Sequence, residues 1–167
     1  MRKARRILAS PTRVDVKESH PNFSKRRYNR VQAAGIHYER LVVKFFELAF
    51  GDKNVVPGPW LHYTDANGKG WCQPDLFILP PHRKKTLWVG ECKLKASKAA
   101  EERLTNMYVP LAGLLYPGYE IIGVQFCRHL TSRKLMLNQR NLIEYDELLD
   151  MKKYDKDFYT VNLRRVY

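Results

Sequence analysis

Two apolar runs, Leu76-Phe77-Ile78-Leu79 and Leu87-Trp88-Val89, flank the segment Pro80-Pro81-His82-Arg83-Lys84-Lys85. Both runs have strand length and strand composition, and the proline-led spacer has turn chemistry, so together they read as a β-hairpin. The charges at its open end narrow the choice further. Asp75 immediately precedes the first run, and Glu91 and Lys93 interrupt the apolar stretch 87–94. Side chains two apart share one face of a strand, so Glu91 and Lys93 project together with the Cys92 carbonyl between them. Hairpin pairing lets Asp75 join that face. Charges in a buried strand are costly unless they are paired or bind metal. Two carboxylates and a main-chain carbonyl form a hard oxygen site for one or two Mg²⁺ (or Mn²⁺) ions, with an ammonium alongside. Such a group suits metal-assisted hydrolysis of a phosphodiester.

A chain of 167 residues is one domain by length and large enough for a real core. Its net charge of +13 is concentrated at the start, where residues 1–40 hold eleven Lys/Arg against three Asp/Glu. A polyanion is the natural partner for that balance. Residues 1–29, with Pro11 and Pro21 as breakers, read as a basic arm that is irregular or weakly helical when free. The expected phosphate contacts are Arg2, Lys3, Arg5, Arg6, Lys25, Arg26, Arg27 and Arg30, with Lys69 and Lys95 further on. The arm lacks the apolar face of an interfacial helix. No stretch approaches the length of a membrane span and residues 1–20 lack a signal-peptide core, so the expectation is an intracellular protein (cytoplasm or nucleoid, or the host cell if viral) with no membrane partner. Cys72, Cys92 and Cys127 lack CxxC spacing, and the five histidines lack zinc-ligand spacing.

Residues 30–167 read as a single domain with a C-terminal extension from about 130. Ala34, Tyr38, Leu41, Phe45 and Leu48, broadened by Val42, Phe46 and Ala49, predict a helix over 30–50 that stops at Gly51. Glu39 lies about 20° from Phe46 around that helix and borders its apolar face. Glu47 is the alternative acid, with Lys44 three residues behind it. A strand is expected over 60–64 and a mobile hairpin loop over 67–70. Residues 97–116 have helical periodicity that Pro110 kinks or breaks. Residues 119–127 read as a buried strand reached by a crossover, hence parallel to the hairpin. A strand over 135–137 and an amphipathic helix over 143–153 follow, and the aromatic end, 158–167, packs on the core. The fold class is α/β with a mixed central sheet: helix, three-stranded antiparallel meander, crossover helix, strand.

Pro74-Asp75 and Glu91-Cys92-Lys93 resemble the PD-(D/E)xK nuclease superfamily letter for letter. That resemblance covers roughly residues 34–127 and implies a restriction-endonuclease-like core. Glu39 is similar to the extra carboxylate that many of these nucleases contribute from their first helix. Within the superfamily, Gly35-Ile36-His37-Tyr38-Glu39-Arg40 followed by the two motifs is similar to archaeal-type Holliday-junction resolvases. The resemblance implies Glu39, Asp75 and Glu91 as metal ligands, the Cys92 carbonyl as another, and Lys93 as the group that orients or activates water. It also implies duplex or branched DNA as substrate and a homodimer as the acting form. Resolvases of that type carry a serine in the loop before Pro-Asp, whereas this chain has none between Lys25 and Ser97. The expected function is a Mg²⁺-dependent DNA endonuclease, structure-selective in recombination, repair or phage DNA processing. The alternatives are a sequence-specific restriction-type enzyme and a non-catalytic nucleic-acid-binding module of the same fold.

Overall fold

In a computed structural model, residues 7–22, 27–130 and 141–164 are described. Arg2, Lys3, Arg5, Arg6, Lys25, Arg26 and the strand expected over 135–137 lie outside them.

Helix α1 (Arg30–Phe50) has the expected limits. Asn29 caps its start: the Asn29 side chain accepts from Gln32 N at 2.8 Å and Gln32 Oε1 accepts from Asn29 N at 3.1 Å. Gly51, at φ 88°, ends it where a side chain would be strained. Its buried seam is narrower than the sequence suggests. Tyr38, Val42 and Phe46 are buried, while Ala34 is exposed and Leu48 is 69% exposed. An i, i+4, i+8 seam centres on Val42, which leaves Leu48 about 120° away and brings Glu39 to its flank.

The chain builds two sheets. The larger is formed by β2 (Val55–Pro57), β5 (Leu76–Ile78), β6 (Thr86–Lys95), β7 (Glu120–His129), β9 (Phe158–Asn162) and β8 (Leu142–Ile143), in that spatial order. The first three are antiparallel and the remaining neighbours parallel, giving a mixed sheet. The β5–β6 hairpin forms as its sequence predicts. The outer strand of the antiparallel trio is β2, however, and not the run beginning at Trp60. Gly58, at φ 52°, turns the chain out of the main sheet, its N–H held by Asp75 O at 2.8 Å.

That run, β3 (Trp60–Asp65), instead joins β4 (Gly68–Cys72) and β1 (Arg13–Lys17) in a separate antiparallel sheet. Two expectations are corrected here. Residues 68–72 are strand rather than loop, since the hairpin turns at Ala66-Asn67, where Asn67 N donates to Asp65 Oδ1 at 2.9 Å. The N-terminal segment is also not wholly an independent arm. Val14 and Val16 alternate with charged residues, and β1 pairs with residues Trp60–Thr64 of β3.

The crossover from β6 to β7 runs through α2 (Lys98–Arg103), a π-helical turn (Leu104–Tyr108) and α3 (Val109–Leu115). The interruption therefore precedes Pro110, which occupies the first turn of α3, where its missing N–H costs nothing. Hydrophobic residues pack both faces of the main sheet. Tyr38, Val42, Phe46 and Trp88 lie on the α1 side; Leu61, Tyr63, Leu104 and Tyr108 lie on the other. The C-terminal helix, α4 (Tyr145–Asp150), is shorter than the predicted 143–153. The tail packs inward as expected: Tyr154 and Tyr159 are buried, and Tyr154 accepts from the Trp88 indole N–H at 2.9 Å. No helix among the described residues is long and apolar enough to cross a membrane.

Candidate metal centre

The hairpin register ends with Leu76 opposite Gly90, so Asp75 lies just past the paired strand, beside the Gly90–Cys92 stretch of β6. Asp75 N donates to Gly90 O at 3.1 Å, and Cys92 N donates to Asp75 Oδ2 at 2.6 Å. The next residue back is Pro74, which has no N–H and cannot extend the ladder to Cys92. The Cys92 N–H is therefore served by the Asp75 carboxylate instead of a strand partner. A proline immediately before the aspartate thus ends the strand at the site.

Glu91 is 1% exposed. Its Oε1 accepts from Lys93 Nζ at 2.7 Å and from Arg103 Nη1 at 2.9 Å. Its Oε2 is buried with no hydrogen-bond partner, although an unsatisfied buried oxygen costs about 1–3 kcal/mol or more when charged. Glu39 faces the same region from α1 and lines an open cavity of about 600 Å³ with Asp75, Cys92, Lys93 and Lys95. Two of the carboxyls are shifted by their surroundings. Burial, followed by the charges of Glu91 and Glu39, pushes the Asp75 carboxyl from 3.8 up to about 7. Glu39 is raised in turn by burial and by Glu91, against the pull of Lys93.

The sequence-derived residues thus converge: Glu39, Asp75, Glu91, the Cys92 main chain and Lys93 meet at one end of β5–β6. Among the described residues, no group of three His, Cys, Asp or Glu side chains is arranged to hold a metal ion. The donor set still fits a hard cation. It offers the raised Asp75 carboxyl, the partnerless Glu91 Oε2 and the Cys92 carbonyl, with Glu39 at the rim. Lys93 and Arg103 now supply the positive charge beside Glu91. Glu47 belongs elsewhere, paired with Lys44 at 3.7 Å.

Arg103 and Tyr108 are parts of the site that sequence reasoning misses. Arg103 clamps Glu91 from the end of α2, and Tyr108 OH donates to Gln73 O at 3.1 Å, fixing the approach to Pro74. Twelve residues separate Glu91 from Arg103, and no periodicity within one element signals that contact. Of the expected phosphate contacts that are described, Arg27, Arg30, Lys69 and Lys95 are all exposed. Lys95 sits in the Glu39–Asp75 cavity, whereas Lys69 is on the small sheet. No protein-family model matches this chain, and no curated protein matches it.

Proposed function

We propose that this chain is a divalent-metal-dependent nuclease of the PD-(D/E)xK type that hydrolyses phosphodiester bonds in DNA. The observation that carries the reading is the clustering of Asp75, Glu91 and Lys93 around the Cys92 peptide, whose N–H donates to Asp75 Oδ2 at 2.6 Å while Lys93 Nζ meets Glu91 Oε1 at 2.7 Å. The order of helix, antiparallel meander, crossover and parallel strand around those residues supports a restriction-endonuclease-like core. The net charge of +13 supports a polyanionic substrate.

In this reading Asp75, Glu91 and the Cys92 carbonyl hold one or two Mg²⁺ ions, and Glu39 contributes from α1. A Mg²⁺ ion held there would supply a lowered water pKa and a positive charge to offset the phosphate. Lys93, already ion-paired with Glu91, orients the attacking water and offsets the negative charge that grows on the phosphate oxygens. Arg103 keeps Glu91 in its rotamer from the opposite side. Attack is direct, with no covalent enzyme intermediate. Action as a dimer on branched DNA, with two symmetric cuts, belongs to the same proposal.

The test is nicking of supercoiled plasmid with Mg²⁺, then cleavage of four-way junctions, linear duplex and single strands. Asp75→Ala and Glu91→Ala should each abolish cleavage and leave DNA binding in place. Cleavage by either variant at the wild-type rate would refute the assignment. Tight DNA binding by the wild type with no cleavage in Mg²⁺ or Mn²⁺ would establish the binding-module alternative.

A further inference from the structure

The small sheet carries a feature that the metal centre does not use. Along β3, residues alternate half-buried and buried: Leu61, Tyr63 and Asp65 point inward, while Trp60, His62 and Thr64 point to the other side. Cross-strand pairing sets Asp15, His62 and Trp71 in one row, with Arg13, Thr64 and Lys69 beside it and Lys17 next to Trp60. The rings adjoin. His62 and Trp71 have centroids 4.5 Å apart, and the His20 ring lies 4.9 Å from Trp71 and 5.3 Å from Trp60.

These rings take no part in either hydrophobic core cluster, unlike the third tryptophan, Trp88, which is fully buried. Among the described residues, four contiguous aromatic rings on the outer side of the sheet are bordered by Lys17 and Lys69, and by Arg13, which pairs with Asp15 at 3.1 Å; together they join π surface to positive charge. Nucleobases recognise that combination. Bases stack on aromatic rings whatever their sequence, but only when they are unpaired, and cations track the phosphates between them. The location also suits such a role. Trp71 precedes Asp75 by four residues, hence lies within about 14 Å of it along the chain. Trp71 also borders a cavity of about 670 Å³ that is shared with inward-facing Tyr63 and with Arg103, the residue that clamps Glu91.

We propose that the outer face of the β1–β3–β4 sheet is a stacking platform for unpaired nucleotides, so that the preferred substrate carries a single-stranded segment beside the strand that is cut. The substrate class rests on the nuclease reading; the binding surface itself does not.

The two are separated by measuring binding in EDTA. Tryptophan fluorescence of the full chain is titrated with an oligo(dT) strand and with a blunt duplex carrying the same number of phosphates. Oligo(dT) should quench Trp60 and Trp71 while buried Trp88 stays bright, and the duplex should quench little. Trp71→Ala should weaken oligo(dT) binding roughly five- to 150-fold, the range expected when one stacked base loses its platform, and leave duplex binding unchanged. Trp71→Phe should retain most of the affinity. Circular dichroism establishes that each variant is folded, and quenching of the wild type decides the matter if Trp71→Ala is not. No quenching at saturating oligo(dT), equal quenching by the duplex, or undiminished affinity in folded Trp71→Ala would each overturn the platform. Asp75→Ala should keep the quenching. Quenching without any Mg²⁺-dependent cleavage by the wild type would refute the nuclease reading and leave the platform standing.

Discussion

Neutralising Asp75 should stabilise the protein, and the gain should depend on pH. Burial, then Glu91 and Glu39, raise this carboxyl from 3.8 to about 7, while Lys93 and the Cys92 N–H pull it down. The unfolded chain releases the proton near 3.8. The folded protein holds it until near 7, so this group favours folding most at pH below 3.8 and loses that contribution as pH rises through 7. The gap corresponds to a penalty of about 4 kcal/mol above pH 7 and under about 2 kcal/mol at pH 5. Asp75→Asn keeps an oxygen to accept from the Cys92 N–H but carries no charge. In EDTA at pH 8 it should therefore melt higher than wild type by as much as about 8–16 °C, taking about 2–4 °C per kcal/mol for a chain of this size. At pH 5 less than half of that difference should remain. Thermal melts followed by circular dichroism at the two pH values measure it. Millimolar Mg²⁺ at pH 8 should narrow the gap, because an ion that binds only the folded wild type stabilises it by mass action. Equal melting temperatures, or the same difference at both pH values, would refute the picture of a carboxylate held in an unfavourable, ion-ready environment.

Glu39→Gln should cut divalent-dependent cleavage severely, whereas Glu47→Gln, which removes only the surface pair with Lys44, should not; initial rates on plasmid decide between them. Lys93→Ala should lower turnover more than it weakens Mg²⁺ binding, and Lys93→Arg should rescue it incompletely because a planar guanidinium does not replace a compact ammonium 2.7 Å from Glu91. Arg103→Ala should slow cleavage and loosen the Glu91 rotamer, and Arg103→Lys should recover part of the rate, as single-turnover kinetics would show. Removing residues 1–6 deletes Arg2, Lys3, Arg5 and Arg6 but leaves β1 intact. For every phosphate that those residues neutralise, the slope of log affinity against log salt should become shallower by about 0.9 on duplex DNA, and an unchanged slope would exclude them from binding.

The grouping of Asp75, Glu91 and Lys93 was legible in the chain because it depends on local rules. Alternation in β6 puts Glu91 and Lys93 on one face, a two-proline turn sends β5 back against β6, and Pro74 ends the ladder beside Asp75. Helix α1 was equally legible, since its apolar periodicity and the Gly51 stop bound it within a few residues. Which way that helix turns was a tertiary matter. Both a Leu41–Leu48 seam and a Tyr38–Phe46 seam satisfy helical periodicity, and only packing on Trp88 and Phe126 selects the second. The same limit explains the sheets. Trp60–Asp65 has the composition of a strand in either sheet, and its partner is chosen by Gly58 and by Arg13–Lys17, more than forty residues upstream. The Arg103 clamp on Glu91 and the ring cluster joining His20 to Trp60 and Trp71 likewise exist only once distant segments meet. Periodicity says which face of an element is apolar or charged, but the neighbour that face meets depends on how the whole chain closes.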